Sequence, residues 1–187
     1  MNSVDNLVTK VANLQLTSIV GDNTPIFALR GVSMSDYSLN QSSPVATYYD
    51  EVYKGNFAFL GVAMYDLERV EVLRGPQGTL YGRNTIGGAV KYVTKSLERS
   101  PAAKLTVNAG GYERLDGILS ASTPIGESFR IGGSVAKLTR GGYGRNLVQN
   151  GVENYNKDVS AARVQAEWDV SDLIDLRFSA DWLLDKS

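Results

Sequence analysis

The sequence predicts a small α+β domain followed by a run of antiparallel β-strands, and three observations predict it. A glycine-rich stretch from Val70 to Lys95 reads as strand, tight turns, strand. The composition favours a turn-rich β protein, with 19 glycines and ten tyrosines against five prolines in 187 residues. The final third alternates apolar and polar residues. That period of two places successive side chains on opposite faces of a sheet.

In the glycine-rich stretch, Val70, Glu71, Val72, Leu73 and Arg74 alternate as a strand. The pattern breaks at Gly75-Pro76, because proline fixes its own φ and pushes the preceding residue out of the helical region. Gly78, Gly82, Gly87 and Gly88 mark positions of positive φ or close backbone approach. Ala89 to Thr94 is a second strand. The unit places Arg74, Gln77, Tyr81 and Arg83 on one exposed rim. It is not a phosphate cradle: no Gly-Lys-Ser/Thr and no Gly-x-Gly-x-x-Gly follows either strand.

Upstream, Val4, Leu7, Val8 and Val11 recur at helical spacing, with Ser3 or Asp5 as cap, and predict a short helix. Leu14 and Leu16 then alternate with Gln15 and Thr17 as a strand, and Gly21-Asp22-Asn23 is a turn. Pro25 to Val32 is a strand ending in Arg30-Gly31. Residues 33–44 are a polar loop, Ala46 to Val52 a strand with Asp50 near its end, and residues 55–63 an apolar loop. Asp66 is placed to cap a single helical turn leading into Val70.

Downstream, Ser96 to Pro101 is a polar linker and a domain boundary. Strands follow at Lys104 to Ala109, Glu113 to Thr123 and Ser128 to Arg140, with turns at Gly110-Gly111-Tyr112 and Pro124-Ile125-Gly126-Glu127. Residues 141–157 form a longer Gly- and Asn-rich loop. It repeats the tetrapeptide Tyr-Gly-Arg-Asn of residues 81–84, too few residues to make a repeat. The last two strands alternate most cleanly. Ala162, Val164, Ala166, Trp168 and Val170 oppose Ala161, Arg163, Gln165, Glu167 and Asp169. After Ser171-Asp172, Ile174, Leu176, Phe178, Ala180 and Trp182 oppose Asp175, Arg177, Ser179 and Asp181. Each segment has about the ten residues that a tilted strand needs to cross a bilayer. Trp168 and Trp182 lie near strand ends, as in an interfacial aromatic girdle. The same alternation fits a soluble sandwich with one wet face.

Composition excludes several functions. Nineteen basic against 20 acidic residues leave a net charge of -1, with no basic stripe for nucleic acid. Cysteine and histidine are absent, which removes disulfides, thiolate chemistry and imidazole bases. No cofactor is called for. Catalysis would depend on carboxylate pairs such as Asp66 and Glu68, or Asp50 and Glu51, whose adjacency establishes no working geometry, so the chain is not expected to be an enzyme. No run of roughly 18 apolar residues predicts a transmembrane helix, whereas β-strands crossing a membrane are not excluded. Met1 to Asp5 show no signal-peptide pattern; for a chain whose strands cross an outer membrane, the expectation is that Met1 lies inside a longer reading frame or that the chain is a fragment.

Glu71, Leu73-Arg74-Gly75-Pro76, Leu80-Tyr81-Gly82 and Gly87-Gly88-Ala89 together closely resemble the plug domain of TonB-dependent outer-membrane receptors. Arg30-Gly31 and Asp50 occupy matching places upstream, although Glu51 stands where the family usually has glycine, so an altered turn is expected after Asp50. The resemblance covers about residues 3–98. It implies an α+β plug domain, residues 1–98, followed by the first five or so antiparallel strands of an incomplete transmembrane β-barrel, residues 99–187. A barrel wide enough for a plug needs about 22 strands.

By that resemblance, Arg30 and Arg74 seat the plug on barrel glutamates, and the arginine fork suits such carboxylates. The implied function is gated uptake of a bulky scarce ligand such as a ferric siderophore, cobalamin or an oligosaccharide. The implied partners are outer-membrane lipid and the energy-transducing TonB complex, whose recognition motif is not found here. Ligand contacts fall to Ser33–Pro44, Gly55–Gly61 and 141–157. The competing expectation is a soluble β-rich carbohydrate-binding module.

Overall fold

A computed structural model describes residues 5–18, 25–34, 41–55, 65–145, 148 and 153–187. The chain forms two compact units, residues 1–95 and 96–187. Calls that fall on Ser3, Val4, the turn at 21–23, residues 35–40 and residues 56–64 lie outside the described residues.

In the first unit, helix α1 (Asp5–Val8) precedes a hairpin of β1 (Leu14–Ser18) and β2 (Pro25–Leu29). A second sheet holds β3 (Val45–Tyr49), β4 (Val52–Tyr53), β5 (Leu67–Arg74) and β6 (Gly88–Thr94) in the order β4-β3-β6-β5. Helix α2 (Gly78–Tyr81) lies between β5 and β6. Among the described residues the helical part is thus two single turns. β3 runs parallel to β6, and β5 antiparallel to it.

The core gathers Leu7, Leu14, Phe27, Leu29, Val45, Val90 and Tyr92, with Val11, Leu16, Tyr49, Leu67, Val70 and Val72 packed against it. The short helix is held by Leu7, since a single turn has no stability of its own. Three expectations need correction. The helical turn at Asp66 is absent: Asp66 has a φ of 57°, β5 already starts at Leu67, and Leu67 packs on the core. Strand β2 stops at Leu29 rather than running through Arg30 and Gly31. Tyr81 is not simply part of an exposed rim, because its half-buried ring packs on Tyr48 with centroids 5.2 Å apart.

The second unit is a five-stranded antiparallel sheet, ordered β13-β12-β9-β8-β7. Its strands are β7 (Ala102–Gly110), β8 (Arg114–Ile125), β9 (Phe129–Arg140), β12 (Lys157–Ser171) and β13 (Ile174–Asp185). A two-residue pair, β10 (Gly144–Arg145) with β11 (Glu153–Asn154), sits within the β9–β12 connection. The expected turn at residues 124–127 begins later: Pro124 and Ile125 stay in β8, paired with Arg130 and Phe129. Proline is tolerated there because β7 has ended, its first residue Ala102 facing Ser122, and no partner on that side needs its N–H.

Candidate functional site

Arg30 and Arg74 lie 44 residues apart in sequence, yet the fold of the first unit brings them to one corner. After β2, Arg30 and Gly31 have φ values of 54° and 79°. They form a two-residue turn closed by Leu29 and Val32, each N–H donating to the other's carbonyl at 3.0 Å. Positive φ at both central positions is the signature of a type I′ turn. It swings the Arg30 side chain toward the end of β5. There the Arg30 Nη1 stands 3.5 Å from where a Cβ on Gly75 would be. Arg74 is the last residue of β5, and both arginines are exposed. Neither makes an ion pair among the described residues.

The motif behind these arginines is a laced double turn. Gly75 N–H donates to Gly87 O at 3.1 Å, Gln77 N–H to Thr85 O at 3.0 Å, and Gly87 N–H to Pro44 O at 3.0 Å. The buried Thr85 hydroxyl donates to Gly82 O at 2.7 Å. Gly82, with a φ of 76°, closes α2 by donating to Gly78 O. Pro76 is exposed at the start of this turn. Gly88 tolerates no side chain, since a Cβ there would stand 2.2 Å from Leu73 O. Glu71 pairs with its neighbour Arg69 at 2.7 Å on the surface, a contact of small energetic worth.

Asp50 closes the far end of the same sheet. Its carboxylate accepts the Thr94 N–H at 2.8 Å and the Thr94 hydroxyl at 3.0 and 3.1 Å. Its own N–H donates to Tyr92 O at 2.7 Å. In the turn after Asp50, positive φ falls on Asp50, at 52°, and not on Glu51. Glu51 therefore needs no glycine-like freedom, and it pairs with Lys91 Nζ at 2.6 Å. That hydrogen bond raises the Lys91 pKa.

Sequence reasoning missed Tyr48, whose hydroxyl donates to Tyr81 O at 2.7 Å, with its ring between those of Tyr53 and Tyr81. Burial, more than the neighbouring Tyr53 and Tyr81, raises its pKa. It also missed Thr85 and Thr94, because no local pattern distinguishes a threonine that fastens a distant carbonyl or carboxylate.

The second unit carries its chemistry the wrong way round for a protein in water. Along β12, Arg163, Gln165 and Glu167 are 2%, 2% and 5% exposed, whereas Val164 and Trp168, which alternate with them, are 58% and 46% exposed. Arg163 donates to Asp181 at 2.6 Å, and Arg130 bridges Glu167 and Asp169 at 3.3 and 2.7 Å. Leu105, Leu119, Val135, Phe178 and Trp182 extend the exposed apolar face, in register across all five strands. Trp168 and Trp182 are both exposed on it, not buried together.

The TonB-dependent receptor plug domain model matches residues 1–89. That span is just under half of the chain, and over it the chain is similar to receptor plug domains. It is 43% identical over 61 residues to the metal-pseudopaline receptor CntO of Pseudomonas aeruginosa, covering 33% of this chain and 9% of the relative. It is 31% identical over 105 residues to the pesticin receptor of Yersinia enterocolitica, covering 56% of this chain and 15% of the relative. The chain thus spans a small part of the length of the relatives it matches.

Among solved structures, the ferric yersiniabactin uptake receptor FyuA of Yersinia pestis superposes with a TM-score of 0.86 at 23% identity, over 97% of this chain and 29% of that one. The pyoverdine outer membrane receptor FpvA of Pseudomonas aeruginosa superposes with a TM-score of 0.76 at 18% identity, over 97% and 25% of the two chains. The fold of the chain is therefore a plug followed by antiparallel strands of a barrel that its five strands do not close.

Proposed function

We propose that this chain is the plug, residues 1–98, and the opening barrel strands, residues 99–187, of an outer-membrane receptor for energy-driven uptake of a bulky scarce ligand such as a ferric siderophore. The observation that carries the reading is the five-stranded sheet, whose apolar face is exposed while Arg130, Arg163 and Glu167 on the other face of its interior strands are buried. Such a face is stable against lipid, and strands with lipid-out and polar-in alternation are the signature of a membrane barrel. A soluble carbohydrate-binding module is disfavoured by the same face, which would expose a row of leucines, valines and tryptophans to water. The relatives are named as receptors and transporters, which supports a transport role rather than an enzymatic one.

In this reading Arg30 and Arg74 seat the plug. Two cationic forks at one corner, without a carboxylate partner among the described residues, call for acidic groups supplied from elsewhere in the receptor. Gly31, Gly75, Pro76, Gly82, Gly87 and Gly88 shape the turns that hold this corner, and Asp50 braces the sheet behind it. The plug blocks the lumen until ligand binding and a pull from the TonB complex bias it to an open state.

Outer-membrane fractionation of the full-length receptor tests the location, and recovery in the cytosol rejects it. The ligand class is tested by uptake of iron-55 complexed to hydroxamate, catecholate and mixed siderophores in a strain lacking the receptor gene. Cobalamin uptake is the control, since two relatives are vitamin B12 transporters.

A further inference from the structure

We propose that residues 96–99 are a strap fastened across the short-turn end of the sheet, seated by Leu97 against Gly132 and held by the Glu167 carboxylate, which carries tension from the plug into the interior strands. The load-bearing part rests on the uptake reading above. The fastening is visible within the second unit alone.

Four contacts define it. Ser96 Oγ accepts from Arg177 on β13 at 2.7 Å. Leu97 N–H donates to Glu167 on β12 at 3.2 Å. The Leu97 side chain fills the space a side chain at Gly132 on β9 would need, its Cδ2 only 2.6 Å from that Cβ position. Arg99 reaches Asp169 on β12 at 3.9 Å. The seat is built rather than incidental. Glu167 is 5% exposed and also accepts from Arg177 at 3.0 Å and Arg130 at 3.3 Å. Arg130 in turn holds both oxygens of Asp169, at 2.7 and 2.8 Å. A buried carboxylate with all its neighbours arranged to donate is a rigid anchor.

The placement matters because the strap grips β9, β12 and β13, whereas the chain continues into β7, at the opposite side of the sheet. Without the strap, a pull along the chain would arrive at Ala102 and break the β7–β8 hydrogen bonds one after another. With it, the pull meets contacts on three strands that must yield together. The strap lets the plug move without unravelling the first barrel strand.

Two measurements on the full-length receptor test this, with a spin label on Ser100→Cys as the only cysteine. In the otherwise unaltered receptor the label is expected to be ordered, and in Leu97→Ala and Glu167→Ala it becomes mobile. Pulling single bilayer-embedded receptors from the N-terminus is then expected to release the plug and β7 in two separate ruptures, and in one event in either variant. Leu97→Ala removes only the knob and leaves the sheet intact, so it decides the matter if Glu167→Ala fails to assemble. An equally ordered label in Leu97→Ala overturns the strap, and a mobile label with two separate ruptures overturns its load-bearing role. Recovery of the receptor outside the outer membrane would remove the uptake reading and the load-bearing role with it, while the label would still report whether residues 96–99 are fastened.

Discussion

The Asp50 carboxylate holds Thr94 by its main-chain N–H at 2.8 Å and by its hydroxyl at 3.0 and 3.1 Å. This single side chain joins the β3–β4 turn to the end of β6, and Thr94 is only 1% exposed. Removing the carboxylate would leave a buried N–H and hydroxyl without partners. Asp50→Ala is therefore expected to destabilise the plug by about 2–3 kcal/mol, the range for losing a charge-assisted bond to a buried donor. Asp50→Asn should retain part of this. Calorimetry of the plug transition in the full-length receptor measures both.

Gly88 meets the Leu73 carbonyl so closely, at 2.2 Å from its absent Cβ, and at a φ of 142°, that any side chain must displace the β5–β6 pair. Gly88→Ala should cost at least about 2 kcal/mol through combined backbone strain and overpacking. Gly111→Ala is the control, with nothing within 4 Å of its Cβ position. A plug transition unchanged in Gly88→Ala would contradict this close approach.

The exposed arginines predict a separation of stability from function. Arg30→Ala and Arg74→Ala should each leave plug stability within about 0.5 kcal/mol, as for surface positions. The double variant should loosen the seated plug, read as increased entry of a large antibiotic such as vancomycin into cells carrying the full-length receptor. Normal exclusion in the double variant would remove the seating role.

The apolar face predicts a side-specific penalty. Val164→Arg should reduce heat-resistant barrel in the outer membrane, with a cost of about 2–4 kcal/mol if the site lies near the bilayer midplane. Thr106→Lys, on the other face of β7, should be tolerated. Equal tolerance of both changes would favour a sheet bathed in water.

Tyr92 sets an alkaline limit on the plug. Burial raises its pKa above the ordinary value of 10.0, so the unfolded chain releases this proton first as pH rises. The contribution is full below about pH 10 and is lost as the pH climbs from there toward the folded value. Its hydroxyl has no hydrogen-bond partner among the described residues. Tyr92→Phe should therefore be neutral or stabilising and should flatten the fall in plug stability above that pH. An unchanged fall in the variant would show that the hydroxyl is solvated after all.

What could be read from residues alone was local. Alternation over ten residues assigned both faces of β12 and β13, because a strand's side-chain period is independent of what packs on it. Glycine and proline marked the turns around α2, because their backbone limits are their own. Asp66 misled for the same reason, since aspartate serves both as a helix cap and at positive φ. Pro124 misled because its tolerance depends on where the neighbouring strand stops.

Only the tertiary structure decided which residues meet across distance. The parallel pairing of β3 with β6, Arg30 beside Gly75, Asp50 on Thr94 and Glu167 on the strap join residues some 40 to 70 positions apart. Such contacts form when the chain closes around a shared core, and no short run of sequence encodes which of its polar groups will find a partner there. Which face of the sheet is buried was decided in the same way: alternation names two faces, and packing selects the one that is covered.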